Sequence, residues 1–423
     1  MGMNRKIIGM AMAFLIGLSL CVTTVLGEEL SPSSLYAQGA VLMDAKSGRV
    51  LFTKNGDAPL SMASTTKILT CILTLETADV TEEVTISSYA ASQPKVKLYI
   101  KKGESYVLND LMHSLMLESH NDVAVAIAEH IGTKLLAGKI SKDASEHTEE
   151  ESKLAVLTFA QKMNEKATQI GCGDSYFVTP NGLDGSYKEK EHHSTAEDMA
   201  RIMAYCILES EKSAEFLDVT RCESHSFTAN GRNFYLANHN AFLHMMDGVV
   251  SGKTGFTNKA GYCYVGALEN EGRVYTIALL GCGWPNNKTY KWADAKKLFS
   301  YGMEEFVFRT TEEIDERKMI PPYLRVLGGQ SPAIGEDAKV HLAIVDENKE
   351  AAVLGKETEC FLAKVDLPDK LQAPLKEGAV VGKVTYLLGG ECFMEKDIVL
   401  TKDVGAIDYR WCMDKVLELF CLF

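Results

Sequence analysis

Cysteine is scarce, eleven in 423 residues, and no two stand at the CxxC spacing of a zinc site or a redox motif. That density excludes a disulfide scaffold and leaves metal or thiol chemistry without a sequence anchor, so no metal and no cofactor is expected. Positive charge is in deficit: 44 Lys and Arg stand against 57 Asp and Glu, a formal net charge of −13. A chain with no basic surplus does not bind nucleic acid by neutralising phosphates. What remains, 46% hydrophobic and 24% charged residues, is ordinary globular composition. At about 150 residues per domain, the length gives two to three domains.

The N-terminus sets the compartment. Arg5 and Lys6 precede an apolar run from Ile7 to Val22, and Val25-Leu26-Gly27 supplies small residues at a signal-peptidase spacing. The run is too short and too Gly-rich for a permanent span. The reading is a Sec signal peptide over residues 1–27, with an uncleaved anchor as the alternative, and a product exported to the outer face of the cytoplasmic membrane or the wall.

Ala40 to Met43 and Val50 to Phe52 form a β-hairpin pattern around Lys46-Ser47-Gly48. Helical periodicity follows over Ser64 to Thr77, Asn109 to Leu117, Asp122 to Ile131 and Leu154 to Ile170. Leu136 to Ser152 reads as a solvated, charged insertion. Ser194-Thr195-Ala196-Glu197 is a capping box for a helix to about Leu208. Tyr262 to Leu268 and Val274 to Leu280 read as strands, and Ala293 to Gly302 as a closing helix. Strands at both ends with helices between them predict an α/β domain over residues 34–308. Beyond Thr310, Pro and Gly breaks separate short strands at Val340 to Val345, Phe361 to Val365, Val380 to Leu388 and Ile398 to Thr401, which predicts a small all-β domain over 315–402. Residues 404–423 end in an amphipathic helix in which Cys412, Met413, Val416, Leu417, Leu419, Phe420 and Phe423 share one face. Adhesion to a membrane surface is the preferred reading of that face, docking on the β-domain the alternative.

Ser64-Thr65-Thr66-Lys67 opens a helix, where i,i+3 spacing brings a hydroxyl and an amine onto one face. A serine becomes a nucleophile only when a neighbouring base takes its proton. SxxK alone is weak evidence, and Ser92-Gln93-Pro94-Lys95 repeats it, but Pro94 keeps that segment extended. Ser119-His120-Asn121 interrupts two apolar helices, where the bland reading is a helix cap. Lys253-Thr254-Gly255 precedes a strand. Asp247 to Thr254 also stands one residue from a phosphate-binding P-loop, but its polar flank and following strand do not supply the strand-loop-helix that a P-loop needs.

In that order, SxxK, SxN some 55 residues later and KTG some 130 beyond it form the signature set of the active-site-serine penicillin-recognising enzymes. With Ala90 to Pro94, Leu115-Met116-Leu117, Pro180-Asn181-Gly182-Leu183, His193-Ser194-Thr195-Ala196, Phe256-Thr257 and Ala260-Gly261-Tyr262, the chain resembles the low-molecular-mass penicillin-binding proteins that are serine-type D-alanyl-D-alanine carboxypeptidases. The resemblance implies a transpeptidase/β-lactamase-like α/β domain with an antiparallel sheet, followed by the family's β-domain and C-terminal helix. It implies that Ser64 attacks the D-Ala-D-Ala carbonyl of peptidoglycan stem peptides, Lys67 is the general base and Ser119 relays a proton to the leaving group. Asn121 would hold the substrate amide, Lys253 would supply charge, and Thr254 with Thr257 would bind the terminal carboxylate, with Gly255 between them. The N–H groups of Ser64 and Phe256 would form the oxyanion hole. β-Lactams would acylate Ser64.

His120 stands where relatives often have a small residue, and His239 where some carry an arginine; both bear on substrate preference. No ExxLN motif occurs, which sets the chain apart from class A β-lactamases. A DD-endopeptidase using the same residues, or a penicillin-binding sensor or structural module without turnover, is the alternative.

Overall fold

In this computed structural model, the described residues are 29–315, 318–345 and 352–421. The expected signal peptide lies outside them, as does Phe423. Residues from Tyr36 onward form one compact unit. Its centre is a five-stranded sheet: β1 (Gly39–Asp44), β2 (Val50–Lys54), β3 (Val249–Thr257), β4 (Gly261–Asn270) and β5 (Arg273–Leu280), in the order β2-β1-β5-β4-β3. Every pairing is antiparallel. This is the expected fold class.

The central strands read as unbroken apolar runs because both faces of the sheet are covered. Val41 and Met43 belong to the main helical core, whereas Leu42 points the other way, against Gly302 of the closing helix Tyr290–Glu305. A Cβ at Gly302 would sit 3.1 Å from Leu42 Cδ2, so the glycine sets how closely that helix lies on the sheet. In the core on the opposite face, α1 (Lys67–Thr77) and α2 (Asn121–Leu135) bury nearly every residue.

Two local readings are corrected. The stretch at 136–152 is not simply solvated: His147, Ala144 and Ser152 are buried, and the long helix starts at Glu149 on a Thr148–Glu151 capping box. The Glu129 carboxylate is the reason. It accepts from Ser87 Oγ and Ser152 Oγ (2.5 and 2.6 Å) and lies 2.8 Å from His147 Nδ1, which ties the insertion to the core. The helix Ala196–Ala204 is capped by Thr195, whose hydroxyl accepts from the Asp198 N–H.

Beyond Phe306 the chain is β-rich. A six-stranded sheet contains Phe361–Asp366, Val380–Leu388, Glu391–Leu400, Ala338–Ile344, Tyr323–Leu327 and Lys370–Gln372 in spatial order. Val307–Thr310 pairs with Ala352–Gly355. Arg49, just before β2, reaches across to this region with two hydrogen bonds to the Glu359 carboxylate (2.9 and 2.7 Å) and one to the Leu354 carbonyl. The terminal helix spans Tyr409–Cys421, and Leu417, Leu419 and Phe420 are 52%, 66% and 82% exposed, so it is not docked on the β-region.

Candidate active site

Ser64 sits in a 3₁₀ turn, Ala63–Thr66, that runs directly into α1 at Lys67. Lys67 Nζ lies 2.9 Å from Ser64 Oγ, 2.9 Å from Asn121 Oδ1 and 2.6 Å from the Asn181 carbonyl. The lysine is completely buried. Burial first, and then the charge of Lys253, hold its pKa well below the ordinary lysine value, against an opposing pull from Asp122. A neutral amine has two N–H bonds and one lone pair. Donation to Asn121 and Asn181 uses both hydrogens and leaves the lone pair facing the Ser64 hydroxyl. The arrangement can therefore deprotonate Ser64 as it attacks.

The SxN segment follows a π-helical turn, and Ser119 adopts a left-handed conformation (φ 65°) at the break before α2. Its backbone places Asn121 at the first turn of α2, aimed at Lys67. Asn121 Nδ2 donates to the Lys95 carbonyl at 3.0 Å, and Asp122 accepts the N–H groups of Leu98 and Tyr99 at 3.0 and 2.9 Å, so the 94–100 loop is fixed along the cleft. The Ser119 hydroxyl is buried and makes no hydrogen bond among the described residues. It is therefore not engaged with Lys67 here.

His120 is turned away from the reacting atoms: Nδ1 lies 2.7 Å from Ser114 Oγ. Burial, then the charges of Lys67, His239 and Lys253, push its pKa down to about 4, so the ring is neutral at physiological pH. His239 is largely exposed and lies 3.3 Å from Glu118.

Lys253, Thr254, Gly255, Phe256 and Thr257 all lie on β3, the edge strand beside the Ser64 turn. This disposes of the P-loop alternative, because Lys253 and Thr254 are mid-strand and a second strand follows. Gly255 has a steric role that the sequence does not reveal: a Cβ there would lie 2.8 Å from the Ser64 backbone N. Only glycine lets β3 approach Ser64 so closely. Lys253 Nζ donates to the Thr254 carbonyl (3.1 Å), and burial pushes its pKa down to about 7. Thr254 is half-buried, and the Phe256 side chain is exposed at the rim, its ring tilted against that of Tyr262. Thr257 Oγ1 accepts the Ala260 N–H, so that hydroxyl also closes the turn between β3 and β4. The decoy Ser92 caps the end of a short helix through the Tyr89 carbonyl, away from Lys95's extended segment.

Residues to which the sequence reading assigned no role also contribute. Asn181 supplies the carbonyl that holds Lys67, and Gly182 (φ 82°) follows, with space for a Cβ denied by the Ala63 carbonyl at 1.9 Å. The only trace in the sequence is the Pro-Asn-Gly turn itself.

The sequence profile of the D-alanyl-D-alanine carboxypeptidase family matches residues 27–135 and 155–281, and the C-terminal-domain profile of penicillin-binding protein 5 matches 333–406. The family match skips the segment that Glu129 and His147 tie down. Among relatives, the D-alanyl-D-alanine carboxypeptidase DacF of Bacillus subtilis is 26% identical over 384 residues, covering 89% of this chain and 88% of its own. DacA of Haemophilus influenzae is 29% identical over 389 residues, covering 89% and 87%. The crystal structure of penicillin-binding protein 5 from Haemophilus influenzae superposes with a TM-score of 0.65 at 26% identity, over 89% of this chain and 99% of that one.

Proposed function

The chain belongs to the D-alanyl-D-alanine carboxypeptidase family, and from that premise we propose how its own residues perform the reaction. It is a serine D-alanyl-D-alanine carboxypeptidase of the low-molecular-mass penicillin-binding type, acting on peptidoglycan stem peptides and acylated by β-lactams. Ser64 Oγ attacks the carbonyl between the two D-alanines as its proton passes to Lys67 Nζ. The N–H groups of Ser64 and Phe256 receive the developing oxyanion, which the close approach at Gly255 supports. The proton that Lys67 took passes on through Ser119, whose hydroxyl gives its own hydrogen to the departing D-alanine nitrogen as it receives that of Lys67; the unpartnered hydroxyl is available for that step. Asn121 contacts the substrate amide, Lys253 attracts the substrate, and Thr254 and Thr257 bind the terminal carboxylate. Water then hydrolyses the acyl-enzyme.

The observation that carries this reading is the 2.9 Å contact of Ser64 with a fully buried Lys67 whose pKa burial holds well below the ordinary lysine value. Incubation with a muropeptide pentapeptide, followed by mass analysis, tests it. Loss of one D-alanine with free D-alanine in solution is expected. Cleavage confined to crosslinked dimers would make the protein an endopeptidase, and a stable adduct without product would make it a sensor.

Export by a signal peptide at 1–27, a peptidase domain over 34–308, a β-domain over 315–402 and a membrane-adhering helix within 404–423 complete the proposal. The two profile matches, ending at 281 and starting at 333, support the division. The exposed apolar face of Tyr409–Cys421 supports adhesion to the membrane surface. Among the described residues no helix is long and apolar enough to cross a membrane, so the helix would lie in the interface.

A further inference from the structure

Ala63, the residue before the nucleophile, has φ +48°, a left-handed conformation that a residue with a Cβ holds only when its surroundings enforce it. Its carbonyl is where the enforcement arrives. Gly182 closes on it from one side, and Thr66 Oγ1 donates to it at 2.8 Å from the other. Thr66 Oγ1 in turn lies 3.0 Å from His192 Nε2.

The direction of that last bond follows from the ring's other nitrogen. Nδ1 accepts the Val178 N–H at 3.0 Å and so carries no hydrogen, which places the hydrogen of a neutral ring on Nε2. Nε2–H then donates to Thr66 Oγ1, whose own hydrogen goes to the Ala63 carbonyl. The chain runs one way, from the Val178 amide to the turn that presents Ser64. It is dry: His192 is 2% exposed, Thr66 0% and Ala63 1%. Burial, and then His193, hold the His192 pKa down at about 3, so the ring stays neutral wherever Lys67 can serve as a base.

We propose that His192 is a positioning residue for the acylation step, which through Thr66 holds Ala63 in its left-handed turn and so fixes Ser64 against Lys67 and Gly255. The proposal rests on Ser64 being the nucleophile. His192 touches neither Ser64 nor Lys67; it acts by restricting where the hydroxyl sits. Reacting groups at 2.9 Å tolerate little displacement, since a misplacement of about 1 Å costs roughly a hundredfold in rate. The competing view is that the ring only fills space, packed edge-on against Phe177 at 5.9 Å.

Two substitutions separate these views because each keeps one half of the imidazole. His192→Gln places an amide nitrogen near the position of Nε2 and can still donate to Thr66. His192→Asn ends near the position of Nδ1, can accept from Val178, and cannot reach Thr66. In the full chain, the second-order rate of Ser64 acylation by a fluorescent penicillin is measured beside the melting temperature. The Gln variant should retain most of the rate, the Asn variant should lose about ten- to a hundredfold, and Thr66→Val combined with His192→Asn should lose no more than either alone. Equal rates in the Gln and Asn variants, a wild-type rate in the Asn variant, or additive losses in the double variant would overturn the proposal, whatever the melting temperatures. Should His192→Asn not fold, Thr66→Ser and Thr66→Val take its place: the hydroxyl-bearing variant should keep the rate and the valine variant lose it, and equal rates would refute the relay. Absence of label on Ser64 in the unmodified protein would instead refute the functional reading itself.

Discussion

Lys67 Nζ is closer to the backbone carbonyl of Asn181, at 2.6 Å, than to the hydroxyl of Ser64, at 2.9 Å. A carbonyl cannot give up a proton, so this contact fixes one amine hydrogen and helps to aim the lone pair at the serine. The consequence is a base whose competence depends on losing its charge.

Acylation should therefore rise with pH as Lys67 loses its proton, at a pH below the ordinary lysine range, while loss of the Lys253 charge at about 7 should weaken substrate attraction. His120 cannot supply that ionisation, being already neutral above about 4. His120→Ala should leave the profile in place, while Lys67→Arg, which keeps the charge and cannot act as a base, should lower acylation by roughly two orders of magnitude or more. The pH dependence of acylation in both variants checks this. Loss of the ionisation in His120→Ala with an active Lys67→Arg would transfer the role of base to the histidine.

A labelled penicillin should form a covalent adduct on the tryptic peptide that contains Ser64. Ser64→Ala should abolish labelling and preserve the melting temperature, because the hydroxyl makes only a long 3.3 Å contact to Asn181 besides its contact with Lys67. Label at Ser92 would refute the assignment.

The insertion beside α2 should confer a pH-dependent stability. Burial alone would lower the His147 pKa, but its bonds to the Ser141 carbonyl and to Glu129 prevail and raise it. A raised folded value means that the contribution is complete below the unfolded value of about 6.5 and is lost as pH climbs through the folded one. The wild-type melting temperature should fall over that range, and the fall should vanish in His147→Gln. Since the His147 and Glu129 side chains are 0% and 1% exposed, His147→Ala should cost about 3–5 kcal/mol. A pH-independent wild-type melting curve above 6.5 would contradict the argument.

Arg49 and Glu359 join the sheet region to the β-region, and their side chains are 12% and 23% exposed. Arg49→Ala removes the guanidinium from the Leu354 carbonyl and from the Glu359 carboxylate, which keeps the Lys356 N–H as a donor, and this should cost about 1–3 kcal/mol in denaturant unfolding. Hydrolysis of a soluble pentapeptide should be unchanged, because no group of the cleft is touched. A stability equal to wild type would show that the pair is replaceable by water.

Deleting residues 409–423 removes the exposed Leu417, Leu419 and Phe420. The truncated protein should move from the membrane fraction to the soluble fraction at constant specific activity. Retention on membranes after signal cleavage would place the anchor elsewhere.

The strong local periodicities were legible. The 39–54 hairpin, the helix after Ser64 and the strands flanking Gly272 lie close to where the alternation and turn residues put them. In the β-region, Tyr323–Leu327, Ala352–Gly355 and Lys370–Gln372 went unread because three to five residues are too few to establish a period. The start of the long helix at Glu149 was missed for another reason. Its first turn is acidic and looks solvated, and only the distant Glu129 explains why Ser152 and His147 are buried.

By itself the sequence determined the reaction class through a resemblance, carried by SxxK, SxN and KTG in that order and not by the hydroxyl–amine spacing alone, which Ser92 to Lys95 repeats. It also determined the order of the elements and the deficit of positive charge. Tertiary structure alone decided what makes the pair work. The pKa of Lys67 depends on burial and on Lys253, 186 positions away in the chain. The aim of the amine depends on a backbone carbonyl at Asn181, and the pose of Ser64 on a glycine in β3 and an imidazole beyond residue 190. Desolvation, close approach and hydrogen-bond direction are properties of groups brought together across the chain, and no local pattern of residues records them.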